Sequence, residues 1–176
     1  ADDVKLPKII ADGLLAGIKV DTKSFTLQTG VRTFEAASYL KKEGADSINV
    51  NRLFNEPVNT VRDVGGVISQ AEIYKDVIAI SQFDKKSDNS ILIAAKAADG
   101  MLSMKNIIGS FVLTKVKGRI HISARSTGKI SVQIIMERLG GGGHQTSAAV
   151  QLKDVSIEKA TERLKKEIDK YLEEEV

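Results

Sequence analysis

The sequence predicts an α/β fold in which helices flank a mixed β-sheet, preceded by a small helical segment. Stretches with apolar residues at helical spacing take turns along the chain with stretches in which apolar and polar residues alternate. The chain has 176 residues, of which 42% are hydrophobic and 28% charged, enough to bury a core. Together these observations favour one or two compact units.

The first part of the chain is predicted to be helical. Residues 7 to 18 carry apolar side chains at helical spacing, and Phe34, Ala37 and Leu40 give residues 33 to 43 an apolar face. Gly44 should end this second helix, as glycine commonly does just beyond a helix end. Residues 49 to 60 are rich in asparagine, contain a proline and lack periodicity, and we expect a connection between domains there.

The remaining elements follow from the same two patterns. Helical spacing predicts helices at residues 61–70, 89–103 and 130–139, and a C-terminal helix capped by Ser156. Asn89 or Ser90 is the expected N-cap of the second of these helices. Alternation predicts strands at residues 74–83, 107–116, 119–126 and 144–152. Lys117 and Gly118 should form the hairpin turn between the middle two strands.

Composition limits the classes of function. The absence of cysteine excludes disulfides and thiolate metal sites, and it makes a reducing, cytoplasmic location the default expectation. No apolar run reaches the length of a membrane span. A formal charge of +3 is too small for a duplex-binding surface, and three tyrosines, five phenylalanines and no tryptophan offer few platforms for stacked bases. A short phosphate-bearing ligand fits this composition better than long nucleic acid.

The stretch GGGGHQTSAA begins at residue 140 and contains one of only two histidines. Four glycines can form a flexible linker. Here, however, they lie between a predicted helix and a predicted strand of one domain, where a turn that lets backbone approach a ligand closely is the better interpretation. Successive glycine N–H groups can converge on an anion, with positive charge supplied by side chains such as His144. The spacing excludes a Walker A loop.

Arg125 is the second candidate, because it lies at the end of a predicted strand among small hydroxylated residues and a guanidinium can bind phosphate with two hydrogen bonds. The alternative is a solvated surface arginine. His121 lies in the middle of a strand, and we interpret it as structural. Ser147 near His144 could suggest a nucleophile with its base, but no third orienting residue is evident.

The stretch SARSTGKISVQIIMERLGGGGHQTSAA resembles the nucleotide-binding motif of the accessory domain that follows the catalytic domain in the DHH phosphoesterase superfamily. Residues 14 to 46 are similar to the final segment of the catalytic domain itself. The combination of VDTKSF, RTFEAASYL and GGGGHQTSAA resembles the bacterial cyclic-di-AMP phosphodiesterases of the GdpP type. This resemblance covers nearly the whole chain.

The resemblance implies roles for particular residues. In the family, the aspartate of the VDT motif is a manganese ligand, and Asp21 matches it; its alternative role is that of an aspartate at a turn or helix end. The substrate-binding positions of the accessory domain correspond to the following residues: Arg125, Ser126, Gly141, Gly142, Gly143 and His144. The implied reaction hydrolyses cyclic di-AMP to linear pApA with two manganese ions.

The departures from the family pattern matter equally. The chain lacks the DHH triplet and the earlier aspartate-rich motif that complete the two-metal site. We therefore expect residues 1–48 to be the tail of a catalytic domain, residues 49–60 a linker, and residues 61–176 a complete accessory domain, inactive without the missing N-terminal catalytic domain. A second copy of the chain is a further expected partner, and long duplex DNA is not. An oligoribonuclease or nucleotide phosphatase of the same superfamily, and a nucleotide-binding module without catalysis, remain alternatives.

Overall fold

A computed structural model describes residues 5–27, 29–85 and 87–174. The chain divides into two units, Ala1–Pro57 and Val58–Val176. The helices of the first unit are α1 (Lys8–Asp21), α2 (Val31–Lys42) and α3 (Ser47–Arg52). The helices of the second unit are α4 (Val58–Ser69), α5 (Ser90–Met101), α6 (Val132–Arg138) and α7 (Ile157–Glu174). Its strands are β1 (Glu72–Tyr74), β2 (Ile78–Phe83), β3 (Gly109–Val116), β4 (Arg119–Ser126), β5 (Gly142–His144) and β6 (Ser147–Leu152).

The first unit is a small helical assembly around a short apolar cluster: Ala11, Leu15, Ala16, Leu40, Ala45 and Val50. Asp12 connects two of its helices, since its carboxylate accepts a hydrogen bond from the Asp46 N–H at 2.6 Å and pairs with Lys8 within α1. Gly44 ends α2 with φ of +94°, and the N–H groups of Gly44 and Ala45 bond back to Lys41 and Leu40. This is the Schellman arrangement, and it confirms the predicted stop.

The second unit is built on a six-stranded sheet with strand order β1-β2-β3-β4-β6-β5. Strands β2 and β3 are parallel, and the other neighbouring pairs are antiparallel. The predicted mixed sheet is therefore confirmed. Lys117 and Gly118 both have positive φ, as a type I′ turn requires, and they join β3 to β4 where the hairpin was expected.

Helices cover both faces of this sheet, because its strands bury apolar side chains on both sides. On one face α6 and α7 close the larger core, which includes Phe111, Ile122, Val150 and Leu164. On the other face α4 and α5 pack over β2 and β3 around a second cluster that includes Val112. In the described part of the chain no helix has the length and apolar character that crossing a membrane requires.

Two predicted strands are each interrupted by a turn. The segment predicted as a strand at residues 144–152 contains the end of β5, a turn at Gln145 and Thr146, and β6. The segment predicted as one strand at residues 74–83 is two strands, because Lys75 and Asp76 adopt positive φ and form a turn between β1 and β2. The boundary between the two units, between Pro57 and Val58, falls within the connection expected at residues 49–60, although α3 and α4 both extend into that range. The Asp46 side chain caps α3 by accepting a hydrogen bond from the Ile48 N–H, a local signal that outweighs the missing periodicity.

The two predicted N-caps of the second unit differ in outcome. Ser156 precedes α7, and its Oγ accepts a hydrogen bond from the Lys159 N–H at 3.3 Å, as expected of a cap. Asn89 occupies the N-cap position of α5, but its side chain makes no capping hydrogen bond. The neighbouring Ser90 instead donates its hydroxyl to the Ser87 carbonyl at 2.6 Å and so ties the preceding loop to the helix.

Candidate functional site

Strand β4 carries alternating side chains that divide it sharply into two faces. Ile120, Ile122 and Ala124 point into the core beneath α6 and α7. The intervening polar residues occupy the opposite face: Arg119, His121, Ser123 and Arg125. On that face α5 packs over β3 but does not cover β6 and β5. We call the side of β4, β6 and β5 that carries Arg125 the open face.

The guanidinium of Arg125 is fixed by two contacts. Its Nε donates a hydrogen bond to Oδ2 of Asp99 in α5 at 3.2 Å, and its Nη1 donates to the Ala124 carbonyl at 2.9 Å. Only 18% of the side chain is exposed. A guanidinium has N–H groups on both Nη atoms, so these contacts leave its outer edge able to donate to an anion.

Strand register places His144 beside this arginine. Arg125 in β4 is paired with Ser147 in β6, and Ser147 is paired with His144 in β5. Directly opposed residues share one face of a sheet, and neighbouring strands lie about 4.8 Å apart. The backbones of Arg125 and His144 are therefore roughly 10 Å apart, with both side chains on the open face and the small Ser147 between them.

The four glycines do not form one loop. Gly140 has φ of +86° and ends α6, with its N–H bonded to the Glu137 carbonyl and the Gly141 N–H bonded to the Met136 carbonyl. This is a second Schellman cap. Gly141 follows this cap, and Gly142 and Gly143 belong to the extended edge strand β5. The expectation of converging N–H groups is wrong in this respect, because N–H groups of an extended strand alternate in direction.

Three glycines differ in what a side chain would meet. A Cβ on Gly141 would lie 2.2 Å from the Ala149 carbonyl oxygen, and one on Gly143, where φ is +151°, would lie 2.5 Å from Cα of Ala148. A Cβ on Gly142 meets no atom within 4 Å. Gly141 and Gly143 are therefore required by close packing of β5 on β6, whereas neither close contact nor positive φ requires glycine at position 142.

Ser126 is buried at the end of β4 and serves the local fold. Its hydroxyl donates to the Ile130 carbonyl at 2.8 Å and lies 3.3 Å from the Gln145 carbonyl, and its Oγ accepts from the Gly128 N–H at 3.2 Å. It thereby ties the end of β4 to the turn between β5 and β6. Contact of Ser126 with substrate stays a prediction.

Small side chains line the open face next to Arg125 and His144. The adjacent row of paired residues consists of Gly142, Ala149 and Ser123, which rise little above the sheet. Gly142 was a predicted substrate-binding residue, whereas Ala149 and Ser123 were not, although the alternation along β4 and β6 carried the signal. Asp99 was also missed, because no local pattern relates a helix residue to an arginine 26 positions later.

His121 lies one row further along the open face and is half-buried. Burial lowers the pKa of its imidazole from 6.5, and the nearby positive charge of Arg119 lowers the pKa further. The imidazole therefore favours its neutral form, in keeping with its interpretation as a structural residue.

Asp21 lies in the first unit as the last residue of α1, with its side chain exposed. The three residues after Thr22, namely Lys23, Ser24 and Phe25, all have positive φ, which is costly for residues other than glycine. Phe25 stacks on Phe34 with ring centroids 5.5 Å apart, so the VDTKSF and RTFEAASYL motifs meet. Among the described residues no group of three or more histidine, aspartate or glutamate side chains could hold a metal ion.

Solved structures and characterised sequences resemble this chain. An exopolyphosphatase-related protein from Bacteroides fragilis superposes with a TM-score of 0.81 and 24% identity, covering 92% of this chain and 50% of its own, which supports the fold alone. The cyclic-di-AMP phosphodiesterase PdeA of Listeria monocytogenes is 50% identical over 165 residues, covering 93% of this chain and 25% of the relative. The cyclic-di-AMP phosphodiesterase GdpP of Bacillus subtilis is 46% identical over 173 residues, covering 97% of this chain and 26% of the relative.

This chain thus spans about a quarter of the length of these curated relatives. The DHHA1 domain family matches residues 70–174, a range that begins just before β1 and includes every strand of the sheet in the described chain. The second unit, with the open face that carries Arg125 and His144, lies almost entirely within this match. The chain therefore belongs to the DHHA1 domain family.

Proposed function

We propose that this chain is part of a manganese-dependent phosphodiesterase that hydrolyses cyclic di-AMP to linear pApA, and that its second unit holds the nucleotide. The main observation in support of nucleotide binding is the strand register, which aligns Arg125, Ser147 and His144 on the open face. Two relatives that are 46% and 50% identical to this chain are cyclic-di-AMP phosphodiesterases, which supports the choice of substrate.

In this proposal each residue has a physical task. The outer edge of the Arg125 guanidinium donates two hydrogen bonds to one phosphate group. His144, about 10 Å away across two strand spacings, contacts a neighbouring oxygen of the same nucleotide. Gly142 leaves space above the edge strand, because a side chain there would project onto the open face. The small side chains of Ala149 and Ser123 leave room for a flat base or a ribose to lie against the sheet.

The manganese ions of the proposed reaction require ligands in addition to Asp21. In the intact enzyme two manganese ions would stabilise the attacking and leaving oxygens, and a carboxylate such as that of Asp21 is a suitable ligand. The described residues do not make such a site by themselves, since no group of three potential ligands occurs among them. We therefore propose Asp21 as one ligand of a centre completed by other parts of a longer protein, and we assign no step of the reaction to this chain alone.

A second candidate function is supported by the length of the open face. Beyond Ser123, β4 carries His121 and Arg119 on the same side of the sheet. A surface that runs on in this way also suits a short linear oligonucleotide, so an oligoribonuclease of the same superfamily is the alternative. Comparing affinity for pApA, for cyclic di-AMP and for longer oligoadenylates distinguishes the two.

The test is calorimetric titration of the chain with pApA and cyclic di-AMP. A hydrogen bond to a charged group contributes about 1.5 to 3 kcal/mol, and 1.4 kcal/mol is about tenfold in affinity. Arg125→Ala should therefore weaken binding roughly 10- to 100-fold. The matched control is Arg163→Ala, because Arg163 is an exposed residue of α7 on the opposite side of the sheet and its loss changes the net charge equally.

Gly142→Val is the companion variant. A Cβ at this position meets no atom within 4 Å, so the fold should be retained while the branched side chain blocks the approach of a ligand. Circular dichroism verifies that the variants are folded. If wild-type protein binds pApA and folded Arg125→Ala and Gly142→Val proteins bind it equally well, the open face is not the nucleotide site.

A further inference from the structure

Asp99 contacts Arg125 in a way that determines which edge of the guanidinium is presented. The contact uses Nε, and the contact with the Ala124 carbonyl uses Nη1. These two bonds occupy the N–H of Nε and one N–H of Nη1, so the N–H groups of Nη2 and the second N–H of Nη1 remain to donate to one phosphate. Without Asp99 the long side chain would sample several rotamers, and a ligand would have to order it on binding.

The backbone around Asp99 is held from two directions. The preceding carbonyl, that of Ala98, accepts a hydrogen bond from the buried Ser110 hydroxyl at 2.7 Å. The following residue is Gly100, where a Cβ would lie 2.6 Å from Cδ1 of Ile68 in α4, so α5 packs closely at this point. Ser110 is also the β3 partner of Arg125 in the sheet. One serine therefore links the backbone of the helix residue before Asp99 to the strand position beside Arg125.

We propose that Asp99 is a positioning residue that pre-orders Arg125 for the phosphate of the nucleotide. This inference rests on the proposed function, because it assumes that Arg125 binds an anion. Asp99 itself does not contact the ligand. Its carboxylate fixes the plane of the guanidinium, and α5 supplies the rigid support for that carboxylate.

Charge effects alone and pre-ordering of Arg125 predict changes of opposite sign in nucleotide affinity when Asp99 is removed. Asp99 is a negative charge next to an anion-binding arginine, so removing it should strengthen binding if charge were all that mattered. Pre-ordering predicts that removing it weakens binding, because ordering one long side chain costs about as much as a 2- to 10-fold change in affinity. The sign of the change therefore distinguishes the two.

The binding experiment compares three proteins by calorimetric titration with pApA. We expect Asp99→Ala to bind about 2- to 10-fold more weakly than wild type. Asp99→Asn keeps a side-chain oxygen that can accept from Nε, and it should restore affinity to within about threefold of wild type or better. Glu162→Ala on α7 is the control for loss of one negative charge, since Glu162 is exposed on the opposite side of the sheet. Binding by Asp99→Ala as tight as or tighter than wild type overturns the proposal.

A second measurement does not require a nucleotide. In the free protein the Arg125 Nε–H should give a sharp side-chain NMR signal with slow hydrogen exchange, retained in Asp99→Asn and lost in Asp99→Ala. A signal equally protected in Asp99→Ala overturns the proposal. If wild-type protein binds no nucleotide while the signal behaves as expected, the proposed function fails and the Asp99–Arg125 contact stands, so the two failures are distinguishable.

Discussion

At the scale of single residues, the two histidines of the chain have contrasting surroundings. His144 is exposed at the end of the edge strand, where a ligand can reach it. His121 is half-buried in the sheet next to Arg119. His144 is therefore a candidate for ligand binding, whereas the pKa of His121 reflects its burial in the fold.

The lowered pKa of His121 predicts a loss of stability in mild acid. As the pH falls through 6.5, unfolded chains take up a proton on this imidazole, whereas the folded protein does so only below its lowered pKa. The free energy of unfolding should therefore fall from about pH 7 to about pH 5.5, as measured by urea denaturation. In His121→Gln this fall should be smaller.

The two carboxyl groups with lowered pKa do not affect the comparison of wild type with His121→Gln. The pKa of Asp12 is lowered from 3.8, chiefly by the hydrogen bond from the Asp46 backbone, and that of Glu158 is lowered from 4.5, chiefly by a hydrogen bond from Ser156. The stability that these two groups contribute is lost only at lower pH. An unchanged pH dependence in folded His121→Gln protein would contradict the argument.

At the scale of elements, β5 is a strand of three residues at the edge of the sheet, two of them glycines. Edge strands are commonly short, which limits pairing with other chains. Here the absence of side chains also lets β5 lie directly against β6, with Gly141 before it and Gly143 within it in close contact with the β6 backbone. The glycine run therefore serves packing as well as access to the open face.

Two substitutions within β5 separate these roles. Gly143→Ala places a Cβ 2.5 Å from backbone atoms of Ser147 and Ala148 at a positive φ, and it should destabilise the protein by about 2 kcal/mol. Gly142→Ala meets no clash and no positive φ, so it should be neutral or stabilising by up to about 1 kcal/mol through the unfolded state. Thermal unfolding followed by circular dichroism measures both. Equal stability of the two variants would mean that β5 moves freely away from β6.

At the scale of the whole molecule, the first unit has a small core and exposes many large apolar side chains. Large side chains remain exposed in it, including Ile9 at 81% and Val31 at 74%. Exposed apolar surface of this kind is typical of an interaction site. We propose that this unit packs against a further part of a longer catalytic domain, in keeping with relatives about four times the length of this chain.

The corresponding prediction is that the chain by itself does not hydrolyse cyclic di-AMP in the presence of manganese, because Asp21 alone cannot hold two ions. In a longer protein with the complete centre, Asp21→Ala should remove most activity and part of the bound manganese while leaving the fold intact. Activity is measured by separation of pApA from substrate, and manganese by elemental analysis. Turnover by the chain alone that a chelator abolishes, or a fully active and metallated Asp21→Ala protein, would contradict this prediction.

Local sequence patterns were enough to predict the α/β class, most of the helices and strands, the helix end at Gly44 and the turn at Lys117 and Gly118. Periodicity and turn chemistry are local, so the helix end at Gly44 and the hairpin at Lys117 and Gly118 could be read directly. The motif that contains Arg125 and His144 was also visible, together with its resemblance to a family. Where local signals conflict with periodicity, as at Lys75 and Asp76, the prediction failed.

Which of these residues lie next to one another depends on the three-dimensional arrangement of the strands and helices. An alternating pattern shows which side chains of a strand share a face, but it does not show which strand lies next to it. The strand order β4-β6-β5 brings Arg125 and His144 onto one face, and a register shift of one residue would turn His144 to the other side. The contact of Asp99 with Arg125 likewise depends on how α5 packs on the sheet. Such long-range pairings depend on burial summed over the whole core, which no short stretch of sequence contains.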